Sequence, residues 1–202
     1  MTPIRLSAEH LREAWARDRE HFAAVFDRCT GNILRQVEVL RQTASEFSLY
    51  SEIPRIERRV DDLRDAVGEI VEAYRAAPPA GVEIAFDAEA GALLATFDRR
   101  LLGRAVRNLI ENAVRASAAG GRVEIEIVEG ADELAIRVAD EGSGVPEGMV
   151  SRVVEPYFST QSGGTGLGLP IARRVAEEHG GRLGLRNRPA GGFEVTLTIP
   201  RA

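Results

Sequence analysis

The chain has 202 residues, 44% hydrophobic and 28% charged, with a formal net charge of −5. That composition suits one well-formed core plus an appendage, and the acidic balance gives no electrostatic support for nucleic-acid binding. All 26 basic residues are Arg, and Cys29 is the only cysteine, which excludes an internal disulfide or a Cys-rich metal site.

A reducing, cytoplasmic compartment fits the cysteine usage, with Cys29 as a small buried apolar residue. No apolar run approaches the ~18 residues of a membrane helix and no signal peptide opens the sequence, so a soluble chain without membrane contact is expected. A membrane anchor further upstream in a longer protein stays open.

From Leu6 to Phe26 the sequence is helical in character, with Leu11, Trp15, Phe22 and Val25 as an apolar seam interrupted by Asp18. Thr30-Gly31-Asn32 reads as a turn. A second helix follows, in which Ile33, Val37, Leu40, Ala44 and Phe47 keep a heptad spacing. Such a hairpin cannot bury both apolar faces alone. It either forms a four-helix bundle with a second copy, the favoured reading, or packs on the downstream domain. Pro54 ends it.

A charged connector leads to a third helix, capped at Asp61 or Asp62 and running to about Tyr74, with Leu63, Val67, Ile70 and Val71 on one face. Two short strands, Val82–Phe86 and Leu93–Phe97, precede a helix from Asp98 to Ser117. Val123–Ile127 and Leu134–Val138 alternate apolar and polar residues and form an antiparallel pair around Gly130. After a glycine-rich segment, a helix runs from about Leu169 to His179, stopped by Gly180-Gly181. Leu183–Arg188 and Phe193–Ile199 close the chain, turned at Ala190-Gly191-Gly192. The order predicts an α+β fold: a two-layer α/β sandwich, a mixed sheet with helices on one face, preceded by the helical hairpin.

Three stretches carry chemistry. In the Asp98–Ser117 helix, Asn108 and Asn112 share a face and Arg115 lies one turn further on. Asn is a poor helix former, so two of them beside an apolar stripe are either satisfied polar residues or amides aimed into a pocket for a metal ion and phosphates. Asp140-Glu-Gly-Ser-Gly-Val-Pro146 follows a strand end. It is either a simple Asp-Gly turn or a carboxylate that accepts from an exocyclic amine, with Gly142 and Gly144 letting backbone approach a flat ligand. Gly163-Gly-Thr-Gly-Leu-Gly-Leu169 runs into a helix N-terminus, where free N–H groups bind phosphate oxygens; Thr165 adds a hydroxyl. No Lys follows, so it is not a Walker loop, and it opens no βαβ unit. Between the last two, Pro156-Tyr-Phe158 suggests Phe158 as an anchor and Gln161–Gly164 as a short lid.

In this order and spacing the set resembles the catalytic ATP-binding domain of sensor histidine kinases, within the gyrase–Hsp90–MutL ATPase superfamily, over about Asp62 to Pro200. The resemblance implies ATP and Mg²⁺ as cofactors. Asn112 would coordinate Mg²⁺, with Asn108 and Arg115 near the phosphates. Asp140 would read adenine in a pocket shaped by Gly142 and Gly144, Gly164, Gly166 and Gly168 would carry the phosphates with Thr165 adding a hydroxyl, and Phe158 and Leu167 are counted with the nucleotide-binding residues. Gln161 stands where related lids often carry Lys, and Phe193 near where many relatives place a Thr.

The front end, Thr2-Pro-Ile-Arg-Leu-Ser-Ala-Glu9 with Val25–Thr30, Ile33–Val37 and Glu46-Phe-Ser48, resembles the dimerisation hairpin of nitrogen-regulation kinases of the NtrY type. This implies a homodimer through residues 1–54, a catalytic domain over 55–202, and a response-regulator receiver domain as partner. In that family the phosphoacceptor His precedes the Thr-Pro-Ile stretch. Here it is expected to be absent, so no catalytic residue is assigned and this fragment is not expected to autophosphorylate. His10, His21 and His179 lack the acceptor context and read as structural, His179 at a helix end that favours a partly charged ring. Two other functions remain: an ATP-driven clamp ATPase, disfavoured because Asn108 stands where a clamp needs a Glu base, and a non-catalytic nucleotide-binding scaffold.

Overall fold

The computed structural model describes residues 2–17, 22–51, 55–78, 81–88, 91–159 and 165–201. The chain divides into two units, Met1–Ser48 and Leu49–Ala202.

The first unit contains α1 (Pro3–Arg17) and most of α2 (Phe22–Ser51). The expected turn at Thr30-Gly31-Asn32 does not occur, because α2 runs straight through it. A single Gly costs a helix only about 1 kcal/mol, and the Thr30 hydroxyl donates back to the Phe26 carbonyl at 2.6 Å instead of terminating the ladder. Asp18 and His21 lie outside the described residues. Where α1 gives way to α2, the Trp15 and Phe22 rings meet edge-on at 5.1 Å. Cys29 is buried, while the heptad residues Val37, Leu40 and Phe47 are exposed.

The second unit is built on a mixed five-stranded sheet of order β2-β4-β5-β7-β6, from β2 (Glu83–Ala88), β4 (Arg122–Glu129), β5 (Glu133–Asp140), β6 (Arg182–Asn187) and β7 (Phe193–Pro200). Only the β2–β4 pair is parallel. Val123, Ile125 and Ile127 on β4, Leu134, Ile136 and Val138 on β5, and Val195, Leu197 and Ile199 on β7 are all buried. The intervening positions carry surface ion pairs such as Arg137–Glu126 and Arg186–Glu194. The period-two alternation therefore gives one dry face, and α3 (Leu63–Ala76), α4 (Arg99–Ala116) and α5 (Gly168–Glu178) cover it. This is the two-layer α+β architecture expected from the element order.

Two departures follow from local chemistry. The charged connector contains a four-residue strand, β1 (Arg59–Asp62), paired antiparallel with β3 (Leu94–Phe97) in a separate ribbon. β3 thus leaves the main sheet, its Ala95 and Phe97 buried in the core. Asp62 ends β1 and caps α3 through the Arg64 N–H. In addition, Glu147–Val154 forms a 3₁₀ helix within the glycine-rich segment. Pro54 lies outside the described residues.

His179 stands at the C-terminal end of α5. It is buried, its Nε2 accepts from the Asp98 N–H at 3.0 Å, and its Nδ1 lies 2.7 Å from the Val175 carbonyl. With Nε2 as acceptor, the nitrogen facing the Val175 carbonyl is the donor, which assigns the proton to Nδ1. The ring ties the end of α5 to the start of α4. His179→Leu strands the Asp98 N–H in the core and is expected to cost about 2 kcal/mol. In urea titrations the midpoint should fall at constant slope; an unchanged midpoint would show that the bond contributes nothing.

Candidate functional site

The site is built along α4. Asp98 caps it, its Oδ1 accepting from the Arg100 and Leu101 N–H groups at 3.0 and 3.1 Å and its Oδ2 from the Glu57 N–H at 3.0 Å. The apolar stripe Leu102, Ala105, Val106, Leu109 and Ala113 is buried, which fixes the helix's rotation about its axis. Asn108 is only 8% exposed, and its Nδ2 donates to the Gly168 carbonyl at 3.2 Å. Asn112 is half-buried one turn on. A Cβ added to Gly168 would lie 3.3 Å from Asn112 Nδ2 and 3.7 Å from Asn108 Cβ. The start of α5 therefore sits directly on the two amides, with little space for a larger residue.

Leu167 precedes α5, and no side chain caps its first turn. Such a terminus presents N–H groups and the positive end of the helix dipole. Thr165 Oγ1 accepts from the Leu167 N–H at 3.4 Å. Gly166 has φ +68°, and a Cβ there would come within 2.6 Å of the Tyr157 backbone. The Tyr157 N–H donates to the Gly166 carbonyl at 3.1 Å, and Tyr157 itself has φ +64° with an exposed ring. Phe158 packs against the core under the Arg152 guanidinium, 4.4 Å from its ring centre. The aromatic pair thus backs the second glycine turn. Gly164 and the lid Gln161–Gly164 lie outside the described residues.

Asp140 ends β5 and is 4% exposed. Its Oδ1 accepts from the Gly142 N–H at 2.8 Å and the Phe193 N–H at 3.2 Å; no hydrogen bond reaches Oδ2 among the described residues. Burial pushes the Asp140 carboxyl above the ordinary carboxylate range, against the pull of those two N–H groups and of Arg188. A Cβ on Gly142 would lie 2.4 Å from the Ala116 carbonyl, so this turn rests on the last residue of α4.

Sequence reasoning missed the partners that hold this turn. Asn187 Oδ1 accepts from the Val145 N–H at 2.9 Å while its Nδ2 donates to the Val145 carbonyl at 2.7 Å, and Gly144, at φ +70°, has no space for a Cβ beside that amide. Gly192 abuts the Asp140 carbonyl, where a Cβ would sit 1.9 Å away. An Asn just before a turn was the available signal, but its bracketing of a loop forty-two positions away was not readable.

The structure therefore brings Asn108, Asn112 and Gly168 together, and sets Gly142, whose N–H bonds to Asp140, against the same helix one turn later, while Gly144 closes on Asn187 instead. Asn112 and Ala116 are about 6 Å apart along the axis. Arg115 is exposed and lies 3.5 Å from Glu111. For a divalent ion, the amide oxygen of Asn112 is a hard oxygen donor of the type Mg²⁺ accepts, and its Nδ2 is the atom turned to Gly168. The donor set fits a metal that arrives with phosphate ligands. Among the described residues no cluster of three His, Cys, Asp or Glu could hold an ion by itself.

A two-layer domain with two glycine turns seated on one helix, one beside a buried carboxylate and the other at a helix N-terminus, is a nucleotide-binding fold of the ATPase class. Residues 97–202 match the family of histidine kinase-, DNA gyrase B- and HSP90-like ATPases, and the chain belongs to that family. It is 35% identical over 208 residues to the nitrogen regulation protein NtrY of Azorhizobium caulinodans, covering 98% of this chain and 27% of that protein. It is 40% identical over 102 residues to the sensor histidine kinase GtrS of Pseudomonas aeruginosa, covering 50% and 21%. Among solved structures, the nucleotide-free catalytic domain of histidine kinase ThkA superposes with a TM-score of 0.66 at 26% identity, over 72% of this chain and 96% of that one. ThkA in complex with the response regulator TrrA gives a TM-score of 0.76 at 21% identity, over 100% and 58%, a likeness of fold. This chain is thus an ATP-binding domain of the sensor-histidine-kinase kind with NtrY-like helices ahead of it, and it spans about a quarter of the length of those two curated relatives.

Proposed function

We propose that the chain binds Mg·ATP along α4 and presents its γ-phosphoryl group for transfer to a histidine of the same kinase, for relay to an Asp of a response-regulator receiver domain. The observation that carries this is the meeting of Asn108, Asn112 and Gly168 on one turn of α4 with Gly142, itself bonded to Asp140, on the next. Asn112 holds Mg²⁺, which supplies charge neutralisation on the phosphates when bound. Asn108 latches the start of α5, and Arg115 adds a cation. Gly164, Thr165, Gly166, Leu167 and Gly168 give the phosphates a side-chain-poor seat. Asp140 accepts from the adenine amino group at Oδ2, beside a turn that Gly142 lets rest on the end of α4 and Gly144 lets close on Asn187, while Phe158 backs the second glycine turn under the phosphates.

Transfer of this kind needs positioning and electrostatics rather than a base. Asn108 supports that choice over a hydrolytic clamp, since its amide cannot take a proton from water. Calorimetric titration should give ATP binding that strengthens with Mg²⁺. No heat with ATP under either condition refutes the reading.

Residues 1–54 serve as the dimerisation hairpin and 55–202 as the catalytic domain. The exposed Val37, Leu40 and Phe47 support a second copy as the occupant of that face. Light scattering at micromolar concentration should return twice the chain mass of 21.9 kDa; a clean monomer counts against the hairpin's role.

A further inference from the structure

Arg115 is paired with an acid of its own helix. On α4 it lies three residues after Asn112 and four after Glu111, so its guanidinium can serve either face. One of its nitrogens is 3.5 Å from Glu111 Oε2. The other oxygen of Glu111 accepts from the Tyr74 hydroxyl of α3 at 3.4 Å. Tyr74 is half-buried, and burial together with the Glu111 charge pushes its hydroxyl up to about 12, so it remains a donor throughout the physiological range. Glu111 is thereby fixed on the α3 side of α4, while Asn108 and Asn112 face Gly168.

We propose that Glu111, held by Tyr74, is a positioning residue that restrains Arg115 as a counter-ligand, so that a nucleotide's phosphate tail must draw the guanidinium away from a carboxylate in order to bind it. The inference rests on the ATP-binding reading above. Its energetics follow from exposure. The Arg115 side chain is 48% exposed and that of Glu111 34%, a setting in which an ion pair contributes about 0–1 kcal/mol. A triphosphate, with several charges and bidentate oxygens, outcompetes such a pair. The pair therefore lowers affinity for phosphorylated ligands without blocking it. Glu111 plays no part in the chemistry itself, because it faces Tyr74 and not Gly168.

The test is a double-mutant cycle read by calorimetry on the full chain, with ATP and with adenosine. Glu111→Gln keeps the side-chain length and an acceptor for Tyr74. In the otherwise unaltered protein it should tighten ATP about two- to five-fold, the fold-change equivalent to loss of one exposed pair, and leave adenosine unchanged. In an Arg115→Ala background the same substitution should leave ATP affinity unchanged. Equal tightening in both backgrounds means that Glu111 acts by direct repulsion of phosphate and overturns the proposal. Equal tightening of adenosine, or no tightening of ATP, overturns it as well. An unaltered protein that binds no ATP at all removes the parent reading, and this inference with it.

Discussion

Asn112→Ala should weaken ATP binding in the presence of Mg²⁺ by about 100-fold, the upper end of what a residue supporting a metal contributes, and should change binding little when Mg²⁺ is withheld. The asymmetry is the diagnostic feature. The amide is half-buried against Gly168, and the substitution removes its oxygen while the helix gains a better helix former. A thermal melt should therefore stay level or rise, separating a site effect from an unfolded protein. Asn108→Ala provides the contrast: it removes the buried bond to the Gly168 carbonyl, so it should lower the melting temperature as well as affinity. Retention of full Mg²⁺-dependent affinity by Asn112→Ala would sink the metal assignment.

Parts of this site were legible in the sequence because they rest on local rules. A 3.6-residue apolar period and an Asp cap placed α4 within one residue at each end. Strict alternation placed β4 and β5, and glycines at strand and helix ends marked both turns. Features that depend on partners distant in the chain were not legible. β1 is four residues of mostly charged sequence, stabilised as a strand only by β3, more than thirty positions away. Leu93–Phe97 reads as a sheet strand, yet the Leu63 N–H bonds to the Leu93 carbonyl and Leu94–Phe97 pairs with β1 in the ribbon. The Thr30-Gly31 signal failed because a turn pair loses to a long amphipathic helix whose hydroxyl has a backbone acceptor within reach. Asn187 and His179 show the same limit: each is ordinary by type, and each earns its role from a backbone group supplied by another element.

Asp140→Asn should separate folding from recognition. The amide oxygen can still accept from the Gly142 and Phe193 N–H groups, so the turn keeps its internal bonds. In place of Oδ2 stands an NH₂ donor, facing the adenine amino donor, and ATP affinity should fall about 100-fold, the equivalent of roughly 2–3 kcal/mol for a lost bond to a charged acceptor. Preference for ATP over GTP should fall with it. Stability should move the other way. The Asp140 carboxyl titrates above its ordinary value in the folded chain because of burial. As pH rises from about 3.9, the unfolded chain loses this proton first while the folded chain still holds it, so the carboxyl subtracts stability through that window. The full penalty is present once pH exceeds the folded-state value. Asn carries no such penalty. The ligand-free variant should therefore match the unaltered protein in melting temperature near pH 3.5 and exceed it at pH 7. Unchanged discrimination between ATP and GTP would remove Asp140 from adenine recognition. A variant less stable at pH 7 than at pH 3.5, relative to the unaltered protein, would show that the two backbone donors outweigh burial in holding the charge.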